Sequence, residues 1–235
     1  RWNPWNDPTV PDDDAFIMAL IEHMKETWPI DETRIYISGF SMGGMMSNAM
    51  AALHPDVFAA AAPCNAFHEG YFSTLEAMTN RKQGQMTDPN AAGEVSETRR
   101  RADAKKEAKD YRMPLFQIAG LEDNTWVSWP ITEANDPRLA TFNYWRRYNN
   151  MDVSEFSYND KYKSGLASDE TCYLGDDERF LLHKWRTKDE GGQFLYELLL
   201  AKRMPHALDL RSIRYAWDFM KHFQRSAEGE LIYTE

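Results

Sequence analysis

The most informative segment of the chain is RIYISGFSMGGMMSNAM, which runs from Arg34 to Met50. Residues 34–38 are mainly β-branched or aromatic and predict a strand, and residues 42–53 predict a helix. No polar linker separates the two elements. The junction between them reads Gly-Phe-Ser-Met-Gly, with Ser41 in the middle. The segment therefore predicts a strand that turns directly into a helix, with a serine at the turn.

A serine in this position is typical of a nucleophile elbow. The tight turn forces Ser41 into a strained backbone conformation, and the residues two positions away must be small because strand and helix nearly touch. Gly39 and Gly43 meet this requirement. The N–H of Met42 then lies at a helix N-terminus, where an anionic oxygen is stabilised. The alternative is a chance Gly-x-Ser-x-Gly in a loop, and the flanking strand and helix favour the elbow.

The composition is that of a globular domain and argues against several classes of protein. The 235 residues are 43% hydrophobic and 27% charged, enough for a sizeable core. The net charge of −10 argues against a nucleic-acid partner, and no apolar run approaches the roughly 18 residues of a membrane span. Cys64 and Cys172 could pair, but two cysteines make no disulfide framework. No Cys or His spacing resembles a zinc site, so we expect no metal.

Helices and strands are predicted to alternate along the rest of the chain. Asp12–Asp14 suit the N-terminus of a helix that ends near Trp28. Further strands are predicted at 57–64 and 113–120, a hairpin at 179–203 around Gly191-Gly192, and helices at 138–150 and 213–225. The polar region 79–112 is interpreted as a surface excursion or lid that carries one helix. The pattern favours a single α/β domain, residues 1–235, with a mostly parallel sheet flanked by helices.

A nucleophilic serine needs a histidine to take its proton and a carboxylate to orient that histidine. With a serine elbow of this kind, the acid and then the histidine follow the serine on loops after later strands. Asp123 fits the acid because it follows the 113–120 strand, with Glu122 as its nearest competitor. His206 fits the base because it lies between the last long strand and the last helix.

The other histidines fit the role of base less well. His23 and His222 lie within predicted helices, His54 lies where a helix stops, and His183 lies within a strand. His68 precedes Asp123, which breaks the expected order. A capping or merely exposed histidine remains the alternative for His206.

Three segments of the chain carry a resemblance to a known family: 12–62, which includes the elbow, "GLEDNTWV" at 120–127, and "MPHALDLRSIRYAWDFMKHF" at 204–223. Together with the intervening strands they resemble the α/β-hydrolase superfamily, and within it the group of polyhydroxybutyrate depolymerases and feruloyl and acetylxylan esterases. The resemblance implies an α/β-hydrolase fold. It also implies hydrolysis of carboxylic esters, small or polymer-linked, with no metal or organic cofactor.

The resemblance assigns a role to each candidate residue. Ser41 is the nucleophile, Asp123 the acid, His206 the base, and Met42 the donor of one oxyanion hydrogen bond. Aromatic and polar side chains on loops that follow strand ends are expected near the same rim, where they contact substrate or pack the rim. These residues are Trp126, Trp129 and His68.

Two alternatives come from other classes of function. A serine peptidase on the same fold uses the same three residue types, so the sequence does not separate it from an esterase. A non-catalytic binding module on this fold is disfavoured because Ser41, Asp123 and His206 are all present.

The start of the chain predicts an incomplete sheet. Only 40 residues precede Ser41, and "RWNPWNDPTV" at 1–10 contains no credible strand. We therefore expect an N-terminally truncated hydrolase that lacks its early strands and second oxyanion donor, with one open edge on the 34–38 strand. Such a chain should be poorly soluble or nearly inactive alone. A signal peptide in the missing part would make the protein secreted or periplasmic, and otherwise we expect it in the cytoplasm.

Overall fold

The computed structural model describes residues 2–66, 96–123, 131–134, 139–153, 156–162 and 164–234. These residues form five α-helices: α1 (Asp13–Thr27), α2 (Met42–Leu53), α3 (Glu97–Ala108), α4 (Leu139–Tyr148) and α5 (Leu210–Met220). They also form ten β-strands: β1 (Ile35–Phe40), β2 (Phe58–Cys64), β3 (Leu115–Gly120), β4 (Phe156–Asn159), β5 (Ser164–Leu166), β6 (Glu170–Leu174), β7 (Phe180–Arg186), β8 (Phe194–Ala201), β9 (Phe223–Arg225) and β10 (Leu231–Tyr233). The predicted alternation of helices and strands is observed.

Six strands form the central sheet in the order β1-β2-β3-β8-β7-β6. The first four are parallel to one another, β7 pairs with β8 in antiparallel orientation, and β6 pairs with β7 in antiparallel orientation. β2 and β3 are buried along their whole length, as expected for parallel strands covered on both faces. The prediction of a mostly parallel sheet flanked by helices is confirmed. The predicted hairpin is the β7–β8 pair, and Gly191 and Gly192 in its turn both have positive φ.

β1 is the edge strand of this sheet. Among the residues that the structure describes, no strand pairs with its other edge, and the segment before α1 forms turns. Trp217 of α5 is about half exposed and packs its ring against Tyr36 of β1, with ring centroids 5.8 Å apart. α1 also exposes apolar side chains at helical spacing, namely Phe16, Leu20 and Met24. An edge of this kind, bordered by apolar surface, is prone to association with another chain.

A polar network centred on the buried Asp14 carboxylate joins three helices beside the sheet. Asp14 near the start of α1 lies 2.5 Å from Nε2 of His54 at the end of α2, and 2.7 Å from a guanidinium nitrogen of Arg101 in α3. α3 also buries Ala102, and its Thr98 hydroxyl donates to the carbonyl of Pro4. The described half of the 79–112 region is therefore a helix packed onto the domain. Residues 79–95 of that region lie outside the described residues.

The end of the chain corrects one prediction. The last helix was predicted over 213–225, but α5 ends at Met220 and Phe223–Arg225 form β9, which pairs with β10. The reason is Arg225, whose buried guanidinium donates to the carbonyls of Phe58, Gly229 and Arg112. A continued helix could not bring that side chain to these acceptors. The region 151–178, for which no element was predicted, contains β4, β5 and β6.

Candidate active site

The junction between β1 and α2 has the geometry of the predicted elbow. Ser41 has φ 54° and ψ −120°, and α2 begins at the next residue. A non-glycine residue in such a sparsely populated region costs on the order of 1–3 kcal/mol. The strain is held by two backbone hydrogen bonds: Ser41 N–H donates to Cys64 O of β2, and Met45 N–H donates to Ser41 O. The serine hydroxyl is therefore presented at the carboxyl end of the parallel strands.

Two glycines are needed at the elbow, and only one of them, Gly39, is among the two that the sequence pattern indicated. A Cβ atom on Gly39 would lie 2.3 Å from the carbonyl carbon and oxygen of Gly43. A Cβ atom on Gly44 would lie 2.8 Å from Cβ of Ala66 and 2.9 Å from the Gly39 carbonyl oxygen. On Gly43 the nearest atom would be Nε1 of Trp2, at 3.9 Å. The crowded pair is Gly39 and Gly44, and the steric requirement assigned to Gly43 was wrong.

The structure brings three of the predicted residues into contact. The hydroxyl oxygen of Ser41 lies 2.8 Å from Nε2 of His206. Nδ1 of the same imidazole lies 2.8 Å from Oδ2 of Asp123. Asp123 is 5% exposed, whereas Ser41 and His206 are half-buried. A serine, an imidazole and a buried carboxylate in this order can transfer a proton from the hydroxyl to a histidine that a negative charge stabilises.

The competing residues lie elsewhere. Glu122 has an exposed side chain, and its backbone N–H donates to the carbonyl of Met204. Among the other described histidines, His54 is held by Asp14, His183 lies within β7 beside Ser168, and His222 bonds the carbonyl of Thr234.

Two close contacts hold the loop that carries His206. Its imidazole packs against the ring of Phe40, with ring centroids 4.8 Å apart and an angle of 41° between the planes. The end of β3 approaches the same loop so closely that a Cβ atom on Gly120 would lie 2.2 Å from the Met204 carbonyl oxygen. Glycine at 120 therefore allows the turn of Asp123 and the loop of His206 to meet. Phe40 limits how the imidazole can tilt.

Cys64 lies next to this site but is not a competing nucleophile. Burial, together with the nearby Asp123 carboxylate, raises the pKa of its thiol to about 12. The thiol is therefore neutral at physiological pH, and the thiolate is the nucleophilic form. Cys172 is exposed, and both cysteines are free, so the structure does not pair them.

Other predicted residues are only partly described. Met42 is the first residue of α2, and its N–H is one of those that an α-helix leaves without an intrahelical acceptor. His68, Trp126 and Trp129 lie outside the described residues. Sequence reasoning missed Trp2, which lies beside the elbow, and Asn65, which directly follows β2. The only signal for Asn65 was a polar residue at the end of an apolar strand.

The described residues form neither a metal cluster nor a membrane-spanning helix. Within the described ranges, no three or more His, Cys, Asp or Glu side chains are grouped so as to hold a metal ion. None of the described helices has the length and apolar character needed to span a bilayer. A cavity of about 480 Å³ lies toward the opposite end of the sheet from Ser41, with Phe116, Lys184, Glu197 and Phe219 among its lining residues.

Comparison with known proteins agrees with the fold. The sequence matches the prolyl oligopeptidase family over residues 5–136, more than half of the chain. Its relatives include poly(3-hydroxyalkanoate) depolymerase C of Paucimonas lemoignei, 47% identical over 47 residues, which are 20% of this chain and 11% of that protein. Feruloyl esterase B of Thermothelomyces thermophilus is 32% identical over 110 residues, which are 46% of this chain and 37% of that protein. The chain thus spans well under two-thirds of these relatives.

A solved structure shares the fold. Acetyl xylan esterase from Aspergillus awamori superposes with a TM-score of 0.62 over 89% of this chain and 67% of that one, at 16% sequence identity. This likeness confirms the α/β-hydrolase fold that the sequence resemblance implied. The acetylxylan esterase of Coprinopsis cinerea is also a relative, 37% identical over 51 residues, which are 22% of this chain and 14% of that protein.

Proposed function

Because the chain belongs to the prolyl oligopeptidase family of α/β-hydrolases, we propose that it is a serine carboxylic-ester hydrolase that acts through an acyl-enzyme. The observation that carries this proposal is the contact of His206 with both Ser41 and Asp123, at 2.8 Å on each side of the imidazole. A proton relay with these distances is within the range for general-base catalysis.

In the acylation step, the Ser41 hydroxyl oxygen attacks the ester carbonyl while Nε2 of His206 accepts the hydroxyl proton. Asp123 stabilises the imidazolium that forms. The carbonyl oxygen becomes an oxyanion and accepts a hydrogen bond from the N–H of Met42. Loss of one such donor typically lowers kcat by about 10²–10³-fold. His206 then returns the proton to the departing alcohol, and the acyl group stays on Ser41.

In the deacylation step, His206 takes a proton from water, and the resulting hydroxide attacks the acyl-serine carbonyl. The second tetrahedral intermediate collapses, the acid leaves, and Ser41 recovers its proton from His206. Each residue thus returns to its starting protonation state. No step in this scheme calls for a metal or an organic cofactor.

Esters are the favoured substrates because relatives of the chain carry the names of ester hydrolases: a poly(3-hydroxyalkanoate) depolymerase, acetylxylan esterases and feruloyl esterases. We propose that the ester is small or linked to a polymer. Trp126, Trp129 and His68 remain predicted contacts for the acyl or leaving group, at a rim formed by loops that follow strand ends. The single domain 1–235, with 79–112 as a surface excursion or lid, also remains a prediction.

A serine peptidase is the second candidate, and the family match favours it, because that family is named for oligopeptidases. The two candidates share the acylation chemistry and differ in the leaving group. Rates on paired substrates that have the same acyl group and either an aryl-ester or an aryl-amide leaving group distinguish them. An ester-to-amide rate ratio no greater than that of the uncatalysed reactions would favour the peptidase.

The decisive test uses the whole chain and a serine-directed fluorophosphonate, because labelling needs only one turnover. We expect one label, on Ser41 by peptide mapping, and hydrolysis within a panel of short acyl, feruloyl and hydroxybutyrate esters. Denatured protein is the control for non-specific labelling. A folded chain that takes no label and hydrolyses no ester would support a non-catalytic binding module instead.

A further inference from the structure

We propose that Asn65 is the positioning residue that holds the loops of His206 and Asp123 against the elbow. This inference rests on the proposed function, since it assigns Asn65 the task of orienting the base and the acid. Asn65 directly follows β2 and is 1% exposed. Its backbone has φ 45°, a region that Asn tolerates better than most residues.

The side-chain amide of Asn65 contacts both loops at once. Its Nδ2 donates to the carbonyl oxygens of Pro205 and Ala207, at 3.2 and 2.9 Å. Its Oδ1 accepts from the N–H of Gly120, at 2.7 Å. The amide NH₂ group therefore faces two carbonyl acceptors, and the amide oxygen faces one backbone N–H donor. Only a side-chain amide offers that set of groups, and Gln would place its amide one methylene farther from the backbone.

The partners of Asn65 are the backbone atoms that position the three candidate catalytic residues. Pro205 and Ala207 are the neighbours of His206 on either side. Hydrogen bonds to their carbonyls therefore fix the backbone position from which the imidazole extends. Gly120 is the last residue of β3, and the turn that follows it ends at Asp123, whose N–H donates to the Gly120 carbonyl. The residue before Asn65 is Cys64, whose carbonyl accepts from the N–H of Ser41.

A purely structural role would be the same for any buried amide in this fold, and Asn149 provides that comparison. Asn149 is 0% exposed, its Oδ1 accepts from Met113 N–H at 2.7 Å, and its Nδ2 donates to Met113 O at 2.8 Å. It braces the start of β3, at the opposite end from Asp123. Loss of its amide should lower stability without moving His206.

The test is Asn65→Asp, with Asn149→Asp as the matched control. Each change keeps an oxygen acceptor for a backbone N–H and replaces an amide donor by an oxygen that faces a carbonyl. In Asn65→Asp we expect the rate of fluorophosphonate labelling and kcat to fall about 10²-fold, the loss typical of a misplaced catalytic group. KM should change little, because the substrate contacts are untouched. Asn149→Asp should keep the parent kcat and labelling rate while lowering thermal stability.

A second measurement separates positioning from folding and from the proposed function. The proton of His206 that faces Asp123 should give a low-field NMR resonance in the parent, assigned by its absence in His206→Gln. We expect that resonance to persist in Asn149→Asp and to be lost or shifted in Asn65→Asp. If Asn65→Asp does not fold, Asn65→Ala is compared with Asn149→Ala by the same measurements.

The outcomes distinguish a failure of the positioning role from a failure of the proposed function. A folded Asn65→Asp chain that labels Ser41 as fast as Asn149→Asp and keeps the parent resonance would overturn the positioning role, with the proposed function intact. A parent chain that takes no label would overturn the proposed function, and the resonance would still test whether Asn65 holds His206 against Asp123.

Discussion

Each end of the central sheet buries a carboxyl group, and the two groups have different partners. At the carboxyl end of the parallel strands, Asp123 is 5% exposed and lies 2.8 Å from the His206 imidazole. Toward the other end, Glu197 of β8 is 7% exposed, lines the 480 Å³ cavity, and has Lys184 as its charged neighbour, at 3.5 Å. Burial, opposed by Lys184, raises the pKa of Glu197 to about 7.

The difference between these partners predicts a different consequence of burial at each end. In the proposed reaction, the Asp123 carboxylate has a close partner, His206, that becomes cationic, so the proposal assigns its burial a role in catalysis. Glu197 has a looser partner and no contact with the elbow, so its burial only costs stability when the group ionises. Substitutions of the Ser41 and Asp123 side chains should therefore change activity more than stability, and substitution of Glu197 should do the reverse.

The largest effect is expected for Ser41→Ala. Removal of the nucleophile should lower kcat for esters to the uncatalysed background, a loss that reaches about 10⁶-fold in a complete serine hydrolase. The free energy of unfolding should change little, because one half-buried hydroxyl is removed at a turn. Initial rates on an activated aryl ester and urea unfolding check both points. Near-parent activity in the variant would remove Ser41 from the mechanism.

The next effect distinguishes the two neighbouring carboxylates. Asp123→Asn should lower kcat by about 10⁴-fold, because an amide cannot stabilise a cationic His206. Glu122→Gln should leave kcat near the parent value, since the Glu122 side chain is exposed. Steady-state kinetics of the two variants in parallel give the ranking. The opposite ranking would move the acid to Glu122.

A smaller effect, on folding, is expected from alanine at the three elbow glycines. Gly39→Ala should be the most damaging, and Gly44→Ala should cost about 1–3 kcal/mol, because each Cβ atom would overlap packed atoms. Gly43→Ala should leave the stability unchanged or raise it by up to ~1 kcal/mol, since alanine favours a helix and has room there. Denaturant unfolding of the three variants gives the order. A loss of unfolding free energy in Gly43→Ala equal to that in Gly44→Ala would contradict this order.

These glycines also show where sequence reasoning stops. The elbow, Asp123 and His206 could be predicted because each depends on a local pattern: a strand end, a turn residue and the order along the chain. Whether Gly43 or Gly44 must lack a side chain depends on which one faces Ala66, and the fold alone decides that. Asn65 was missed for the same reason, because its acceptors at Pro205 and Ala207 lie about 140 residues away in sequence.

A long-range contact also explains why the end of the last helix was predicted wrongly. The apolar spacing of 213–225 is helical, and local pattern gives no reason to stop at Met220. Arg225 ends up in β9 because carbonyls of Phe58 and Arg112, far away in sequence, accept its hydrogen bonds. A buried guanidinium must be satisfied in this way, and that requirement outweighs helix propensity.

The smallest effect on activity is expected for Glu197, whose ionisation changes the pH dependence of stability instead. Its pKa is about 7 in the folded chain against an ordinary value of 4.5, so the folded state binds more protons between these values. The carboxyl is protonated in both states well below pH 4.5, and the free energy of unfolding falls as the pH rises from about 4.5 to about 7, by up to about 3 kcal/mol. Glu197→Gln removes this ionisation. The variant should be more stable than the parent at pH 8 and similar to it at pH 5.

Urea unfolding of the parent and of Glu197→Gln across pH 5–8 gives the free energy of unfolding of each chain as a function of pH. The difference between the two chains isolates Glu197, because the contributions of the other titrating groups cancel. Ester hydrolysis measured in parallel should be the same in both chains, because Glu197 has no contact with the elbow. Equal slopes would mean that Lys184 keeps Glu197 ionised throughout, and the 3.5 Å contact would then be a stronger ion pair than its distance indicates. A loss of activity in Glu197→Gln would break the comparison itself, since it would couple the far end of the sheet to Ser41.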